Sequence, residues 1–185
     1  MKGVESMVTY YIRKNVLGSN CRSLIKDEAN RDSFLMVGRW GARGDVFSLY
    51  QLDGTLIATI KQATFALALG TRFDLYYDGD KVGTLQRLLT LNRDFYYVRK
   101  LNWAVMGSID TQTYSIYHFN HQIMTIEPVR KNDRTELKMT VSSEADVPIC
   151  LCIAAVLDYW SLKTDSTPSP LSNLKKGTTP PLPTE

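Results

Sequence analysis

The sequence contains few of the residues that build metal sites and disulfide frameworks. Its 185 residues include only three cysteines and two histidines. An odd number of cysteines excludes a fully paired internal disulfide framework. Cys150 and Cys152 form a C-x-C pair without further zinc ligands nearby, and His118 and His121 alone do not complete a metal site. We therefore predict no metal and no cofactor. We expect the two cysteines of the C-x-C sequence to be buried, reduced thiols of a cytoplasmic protein.

A strong excess of charge of one sign is also missing. The chain has 22 lysines and arginines against 19 acidic residues, which leaves a formal net charge of +3. A dedicated nucleic-acid-binding protein concentrates far more positive charge on one face. We therefore expect no nucleic-acid partner. The 44% apolar and 22% charged content is typical of a globular protein.

Long hydrophobic runs are missing too. No segment reaches the roughly 20 apolar residues that a transmembrane helix needs. The start, MKGVESMVTYYIRK, has neither the apolar region nor the cleavage site of a signal peptide. The run from Pro148 to Leu157 makes only about 15 Å of helix, which is too short to cross a bilayer. The sequence predicts a cytoplasmic protein that does not span a membrane, whether it is free or peripheral at one.

Catalytic motifs are absent as well. The chain has neither a G-x-S-x-G nucleophile elbow nor an H-E-x-x-H metal motif. The glycine-rich GRWGARGD lacks the G-K-[ST] ending of a phosphate-binding loop, and no helix pattern follows it. We interpret it as a loop between strands. The sequence therefore predicts no catalytic residues and no enzyme activity.

The chain from Met7 to Val141 consists of short runs rich in Val, Ile, Thr, Tyr and Phe, as strands prefer. Turn signals separate the runs, at Asp53-Gly54, Gly79-Asp80, Leu101-Asn102 and Asn120-His121. About twelve strands result, at the spacing of an antiparallel barrel or sandwich. Because no helices alternate with them, a doubly wound nucleotide-binding fold is excluded.

A single helix is predicted after the strands, from about Asp146 to Tyr159, with Pro148 in its first turn. The segment is apolar on every face, which is typical of a helix buried on all sides. A barrel of about twelve strands is too wide for its own side chains to fill, so the helix is expected to fill it. Asp158, near the end of this helix, is either a functional carboxylate or one that meets an arginine or water at the barrel mouth; we favour the second.

The last segment differs in composition. KTDSTPSPLSNLKKGTTPPLPTE, residues 163–185, is rich in Pro, Ser and Thr. It has too little apolar content to form a core and is expected to be disordered. The predicted organisation is therefore a barrel domain over residues 1–162 and a tail over 163–185.

The order of these features resembles a known family. The D-G hairpins are followed by RDFYYVRKLNWAVMGSI, a last strand, and DVPICLCIAAVLDYW with its closing Leu157-Asp158. Over roughly Tyr10 to Leu162 the chain resembles the LURP-one-related family, of the tubby C-terminal-like and phospholipid scramblase-like superfamily. The resemblance implies a twelve-stranded barrel around a hydrophobic C-terminal helix. It implies no agreed biochemical activity. Related tubby domains bind phosphoinositides through basic residues, none of which can be matched to this chain.

Basic residues near predicted strand ends are the candidate site. They are Arg99, Lys100, Arg130, Lys131 and Arg134. If their loops share one end of the barrel, they form a patch for anionic lipid, to which each cation contributes about 1 kcal/mol. The first functional hypothesis is thus a non-enzymatic domain that binds anionic phospholipid or a protein partner. The second is a barrel that carries a small apolar ligand, as lipocalins do.

Overall fold

The computed structural model describes residues 7–13, 22–39, 46–63, 72–89, 94–131 and 133–165. Side chains are described throughout these ranges except at Leu89, Asp94 and 159–165. The predictions made for the first residues of the chain, for Cys21, for most of the glycine-rich loop and for the tail beyond Asp165 fall outside the described residues.

In the part of the chain that the structure describes, twelve strands precede one helix. The strands are β1 (Val8–Arg13), β2 (Arg22–Asp27), β3 (Asp32–Arg39), β4 (Val46–Gln51), β5 (Leu56–Gln62), β6 (Arg72–Tyr77), β7 (Asp80–Leu89), β8 (Asp94–Arg99), β9 (Trp103–Ser108), β10 (Thr113–His118), β11 (His121–Lys131) and β12 (Arg134–Val141). Each strand pairs antiparallel with its neighbours in the sequence, and β1 pairs with β12 from Val8↔Val141 to Arg13↔Glu136. The sheet is therefore a closed barrel, which confirms the predicted fold. Every strand has a neighbour on both sides, although β1 and β2 share only two ladder pairs.

Two of the predicted turns lie one residue earlier than expected. The loop between β6 and β7 is Asp78-Gly79, with φ values of 48° and 85°. Positive φ at both central residues is what a two-residue type I′ hairpin requires, so Asp80 is left to pair with Tyr77 in the ladder. The loop between β10 and β11 is likewise Phe119-Asn120, because His118 pairs directly with His121.

The helix α1 spans Val147–Asp165 and follows a 3₁₀ turn at Glu144–Asp146. It begins one residue later than predicted because Asp146 is still in the 3₁₀ turn, where its N–H donates to the Ser143 carbonyl at 3.1 Å. It also continues six residues beyond the predicted end, into the segment assigned to the tail. Every residue from Val147 to Asp158 is buried. The apolar helix therefore fills the barrel, as its composition predicts.

Cys150 and Cys152 lie within this buried stretch, and both are fully inaccessible, at 0% exposure. Burial raises the pKa of Cys152 to about 12. Burial, and secondarily the Asp146 carboxylate, raises the pKa of Cys150 well above its usual value. Both groups are therefore neutral thiols at physiological pH, in agreement with the prediction of buried packing thiols.

We expect iodoacetamide to leave Cys150 and Cys152 unmodified in the folded protein, because the thiolate is the reactive form and neither sulfur is accessible. Mass spectrometry of the peptide that contains both cysteines measures the modification. The same peptide from protein unfolded in guanidinium chloride is the control and should be modified fully. Equal modification rates in the two samples would contradict the buried helix.

The same thiols predict the direction of a pH dependence. The folded-state pKa of Cys152, about 12, lies above the ordinary value of 9.0 that it regains on unfolding. The unfolded state therefore loses its proton first as the pH rises, and the free energy of unfolding falls between about pH 9 and pH 12. A double Cys→Ala variant should show a weaker fall over this range in urea titrations.

Candidate functional site

The two ends of the barrel differ in the basic residues they carry. One end of the barrel, called here the upper end, is where the odd-numbered strands finish: β1, β3, β5, β7, β9 and β11. The opposite end is called the lower end. Arg130 and Lys131 finish β11 and Arg134 begins β12, so these three residues lie at the upper end. Arg99 finishes β8 and is followed by Lys100, so this pair lies at the lower end.

The five predicted site residues therefore do not form one patch, because their loops do not share one end of the barrel. In an antiparallel barrel, consecutive hairpins alternate between the two ends. The β8–β9 and β11–β12 connections are three hairpins apart, so they point in opposite directions. The strand ends are visible in the sequence, but the end of the barrel to which each loop belongs depends on the number of hairpins between them.

The charges of the described residues are separated between the two ends. The cations near strand ends at the upper end are Arg13, Arg22, Arg39, Lys61, Arg72, Arg87, Arg130, Lys131 and Arg134. The acidic residues with described side chains there are Asp110, Asp133, Glu136 and the buried Asp158. The acidic residues at the lower end are Asp27, Glu28, Asp32, Asp53, Asp78, Asp80, Glu144 and Asp146. A small net charge thus conceals a basic end and an acidic end.

Lower-end cations are largely neutralised by neighbouring carboxylates. Arg31 pairs with Asp27 at 2.7 Å, and Lys26 approaches Asp32 at 3.7 Å. Lys81, at the start of β7, pairs with a carboxylate of β6 at 2.7 Å. The lower end therefore offers less free positive charge than its cations suggest. At the upper end, Arg13, Arg22 and Arg134 form no ion pair within the described part of the chain.

The barrel wall opens at the upper end between β1 and β2. These strands pair only at Tyr10↔Asp27 and Tyr11↔Lys26, close to the lower end. Above these pairs β1 remains bonded to β12, and β2 remains bonded to β3. A groove of about 570 Å³ lies on the outer surface here. Its charged lining residues are Arg13, Arg22, Lys26, Arg134 and Glu136.

A buried hydroxyl lies at the inner wall of this groove. Ser23 is only 3% exposed, and its Oγ has no hydrogen-bond partner. Ser23 also lines a small cavity of about 10 Å³ inside the barrel, together with Ala154 and Asp158 of the helix. A cavity of this size holds about one water molecule. Ser23 therefore separates the outer groove from the interior beside α1.

Lys131 extends the basic surface to the rim of the groove. Its Nζ lies 4.3 Å from the centre of the Tyr11 ring, which lines the groove. A cation held over an aromatic ring is attracted by the negative face of the ring. Arg130, by contrast, points to solvent and approaches Asp133 at 3.6 Å. Two of the predicted residues, Lys131 and Arg134, are thus connected to the groove.

Asp158 fastens the helix to the upper end of the barrel. The Gln112 amide Nε2 donates a hydrogen bond to Asp158 Oδ1, and the two residues are 2% and 4% exposed, respectively. Gln112 lies in the turn between β9 and β10, with φ of 55°. Burial, and then the nearby Asp158 carboxylate, raises the pKa of Tyr114 well above its usual value. The Asp158 carboxylate therefore meets the Gln112 amide at the barrel mouth.

Sequence reasoning missed Arg13, Arg22 and Ser23. The arginines were recognisable as residues at strand ends, on either side of residues 14–21. Nothing in the local pattern shows that β1 and β2 separate above Tyr11, since both strands have ordinary composition. Ser23 is a single hydroxyl in a strand, and only its buried, unpartnered state distinguishes it.

Two other classes of site are missing from the described residues. No group of three or more His, Cys, Asp or Glu side chains is arranged there to hold a metal ion. Within the same residues, no helix combines the length and the hydropathy that a bilayer span requires. The interior itself is occupied by α1, which argues against the carrier hypothesis.

Comparisons with known proteins agree with the barrel. The chain is 20% identical over 152 residues to the uncharacterized protein YxjI of Bacillus subtilis. The aligned region covers 82% of this chain and 93% of YxjI. An X-ray structure of a protein from Arabidopsis thaliana has a similar fold, with a TM-score of 0.60 and 14% identity over 85% of this chain and 93% of that one. The LURP-one-related family model matches residues 8–158, from the start of β1 to the last described side chain of α1. The chain therefore belongs to the LURP-one-related family.

Proposed function

We propose that this domain is a non-enzymatic, cytoplasmic binding module whose upper end contacts anionic phospholipid headgroups at a membrane surface. The observation that supports the proposal is the separation of charge between the two ends of the barrel. A surface that presents mainly cations is attracted to the negative potential of an anionic leaflet. The acidic lower end would face away from the membrane, so attraction and repulsion favour the same orientation.

The β11–β12 hairpin is the part of this surface that follows from the sequence prediction. Arg130, Lys131 and Arg134 lie within five positions of one another, and Arg130 and Arg134 are exposed. At about 1 kcal/mol for each cation near an anionic surface, the three contribute roughly 3 kcal/mol. That corresponds to about a hundredfold in the binding constant. Screening weakens this attraction, because the Debye length falls from about 10 Å at 0.1 M salt to about 3 Å at 1 M.

We expect the protein to float with vesicles that contain phosphatidylserine at 0.1 M salt and to be released at 1 M salt. The variant Arg130→Glu/Lys131→Glu should lose at least tenfold in the bound fraction, because it places two negative charges on the surface that faces the lipid. Flotation of both proteins over a salt series measures the effect.

The chain offers a matched control at the other end of the barrel. Arg99→Glu/Lys100→Glu changes the same two residue types in the same order and alters the net charge equally. It should float like the parent, since this pair lies at the lower end. Equal losses in the two variants would show that only net charge matters. Absence of flotation in the parent would contradict lipid binding and favour an acidic protein partner for the same surface.

A further inference from the structure

We propose that two adjacent hairpins at the lower end of the barrel form a docking surface for a basic, amphipathic segment of a partner protein. The hairpins are β4–β5, with its turn at 52–55, and β6–β7, with its turn at 78–79. We call them together the lower hairpin surface. Apolar side chains of the partner would pack on exposed leucines, and its lysines or arginines would pair with exposed aspartates. This surface lies at the opposite end from the proposed membrane contact and does not depend on it.

Large hydrophobic side chains are exposed mainly at the lower end of the described barrel. Those at this end are Met7, Leu52, Leu56, Tyr77 and Phe119, whereas Leu24, Leu88 and Met106 are exposed elsewhere. Leu52 and Leu56, at 57% and 51% exposure, flank one turn of the lower hairpin surface, and Tyr77, at 39%, precedes the other. Exposed apolar residues that are rimmed by polar ones mark protein interaction sites.

The two hairpins are held together in one arrangement. β5 and β6 are neighbours in the barrel, and beyond their ladder the N–H of Asp78 donates to the Ile57 carbonyl at 2.9 Å. The β4–β5 turn is closed by a hydrogen bond from the Gly54 N–H to the Gln51 carbonyl at 3.0 Å. A surface that is ordered before binding loses less conformational entropy when a partner docks on it.

The lower hairpin surface carries negative charge beside its apolar residues. Asp53, Asp78 and Asp80 are exposed in the two turns or next to them. Hydrogen bonds from the backbone N–H and then from the side chain of Thr55 lower the pKa of Asp53, so this group is ionised at neutral pH. Lys81, which follows Asp80, already pairs with a carboxylate of β6 at 2.7 Å. Charge complementarity therefore favours a partner with cations, which also speeds its encounter with the surface.

A second copy of this chain supplies only half of what the surface requires. Its upper end is basic, but the described exposed residues between 129 and 136 of the β11–β12 hairpin are Arg130, Asp133, Arg134 and Thr135, all of them polar. An amphipathic helix carries cations and apolar side chains together, since residues three and four apart share one face. A segment of this kind matches both features of the lower hairpin surface.

The test uses a fluorescent synthetic peptide of about 14 residues, roughly four turns of helix, with leucines at helical spacing and lysines elsewhere. Fluorescence polarisation with the full chain measures its dissociation constant. We expect the parent to bind and Asp53→Asn/Asp78→Asn to bind at least tenfold more weakly. Asparagine keeps the oxygen that accepts the Thr55 N–H at 2.8 Å and tolerates the positive φ of Asp78, 48°, so both turns are retained.

The upper end offers a matched control for the loss of charge. Asp110 and Asp133 are also exposed aspartates in turns, so Asp110→Asn/Asp133→Asn alters the net charge equally. This variant should bind the peptide like the parent. Equal losses in the two variants would show that only net charge matters and would overturn the lower hairpin surface, as would a parent that does not bind the peptide.

Leu52→Ser/Leu56→Ser tests the apolar part of the surface independently. We expect at least tenfold weaker binding of the peptide, whereas Leu24→Ser/Leu88→Ser, a change of two exposed leucines elsewhere, should have no effect. Thermal melting of each variant excludes a folding defect as the cause. Unchanged binding by Leu52→Ser/Leu56→Ser would reduce the contact to charge alone and would overturn docking of an amphipathic segment.

Two further measurements separate this surface from the other possible contacts. Flotation of Asp53→Asn/Asp78→Asn with phosphatidylserine vesicles should equal that of the parent, so failure of the lipid contact and failure of the peptide contact are distinct results. Sedimentation of the chain alone should show no association that this variant abolishes. An association lost in Asp53→Asn/Asp78→Asn would assign the surface to a second copy and overturn the proposed partner.

Discussion

Ala154→Asp is expected to abolish folding of the domain. Ala154 is 1% exposed and belongs to the part of α1 that fills the barrel. The cavity next to it has a volume of about 10 Å³, enough for a water molecule but not for a carboxylate group. Asp158, four residues further along the helix, lines the same cavity. The new carboxylate would therefore be buried close to an existing one.

The magnitude follows from the cost of burying charge. An ion that is buried without a partner costs several kcal/mol, and overpacking of a core adds roughly 1–3 kcal/mol. Domains are stable by only about 5–15 kcal/mol, so this one change consumes much or all of the stability. Amide-proton dispersion in NMR spectra and thermal melting of the purified variant measure the outcome.

The chain contains a control with the same substitution. Ala145, in the 3₁₀ turn before the helix, is exposed. Ala145→Asp should fold like the parent, because a carboxylate near the start of a helix is solvated and meets the favourable end of the helix dipole. If Ala154→Asp also melts at the temperature of the parent, α1 does not fill the barrel.

The second large effect is expected at Gly107. This residue has φ of 125°, and it pairs with Tyr114 across the β9–β10 hairpin. A Cβ at this position would lie 2.5 Å from the Thr113 carbonyl oxygen and 2.7 Å from the Cα of Tyr114. Both atoms belong to the backbone of β10, so they cannot move aside as a flexible side chain would.

Gly107→Ala should therefore lower the free energy of unfolding by about 3 kcal/mol. Positive φ costs a non-glycine residue roughly 1–2 kcal/mol, and the forced shift of packed backbone adds roughly 1–3 kcal/mol. For a domain of this size the melting temperature would fall by about 6–12 °C. Because β10 follows directly on Gln112, the shift would also disturb the hydrogen bond from Gln112 to Asp158.

Gly54→Ala separates the two contributions. Gly54 also has a positive φ, 91°, but a Cβ there meets no atom within 4 Å. Only the backbone strain remains, so we expect a loss of about 1–2 kcal/mol. Equal melting temperatures for the two variants would show that the β9–β10 hairpin accommodates the added Cβ without further loss of stability.

The strands were predictable because each one carries its own signal. Runs of β-branched and aromatic residues end at turn residues, and these local patterns depend on neighbours in the chain alone. The turns were located within one residue: the pattern G-D at Gly79-Asp80 suggested one loop, but the demand for positive φ selected Asp78-Gly79. The buried helix was predictable for a related reason, since its apolar residues cover every face.

The candidate site was less predictable because it depends on which distant residues meet. Arg130, Lys131 and Arg134 share an end because one hairpin carries them, whereas Arg99 and Lys100 are directed to the opposite end by the number of strands between them. The basic upper end is assembled from many strands. Its cations are scattered through the sequence, so neither the net charge nor any local window shows it.

The sequence by itself determined the elements of this protein: twelve strands, a helix that is apolar on every face, and buried cysteines within it. These follow from local propensity and from the periodicity of apolar residues, which act between neighbours in the chain. Only the tertiary structure decided which charges share an end of the barrel, that β1 and β2 separate above Tyr11, and that the hydroxyl of Ser23 is buried without a partner. The physical reason is that closing the barrel brings the first strand against the last and sets each hairpin to one end, so contacts and charges far apart in the chain become neighbours.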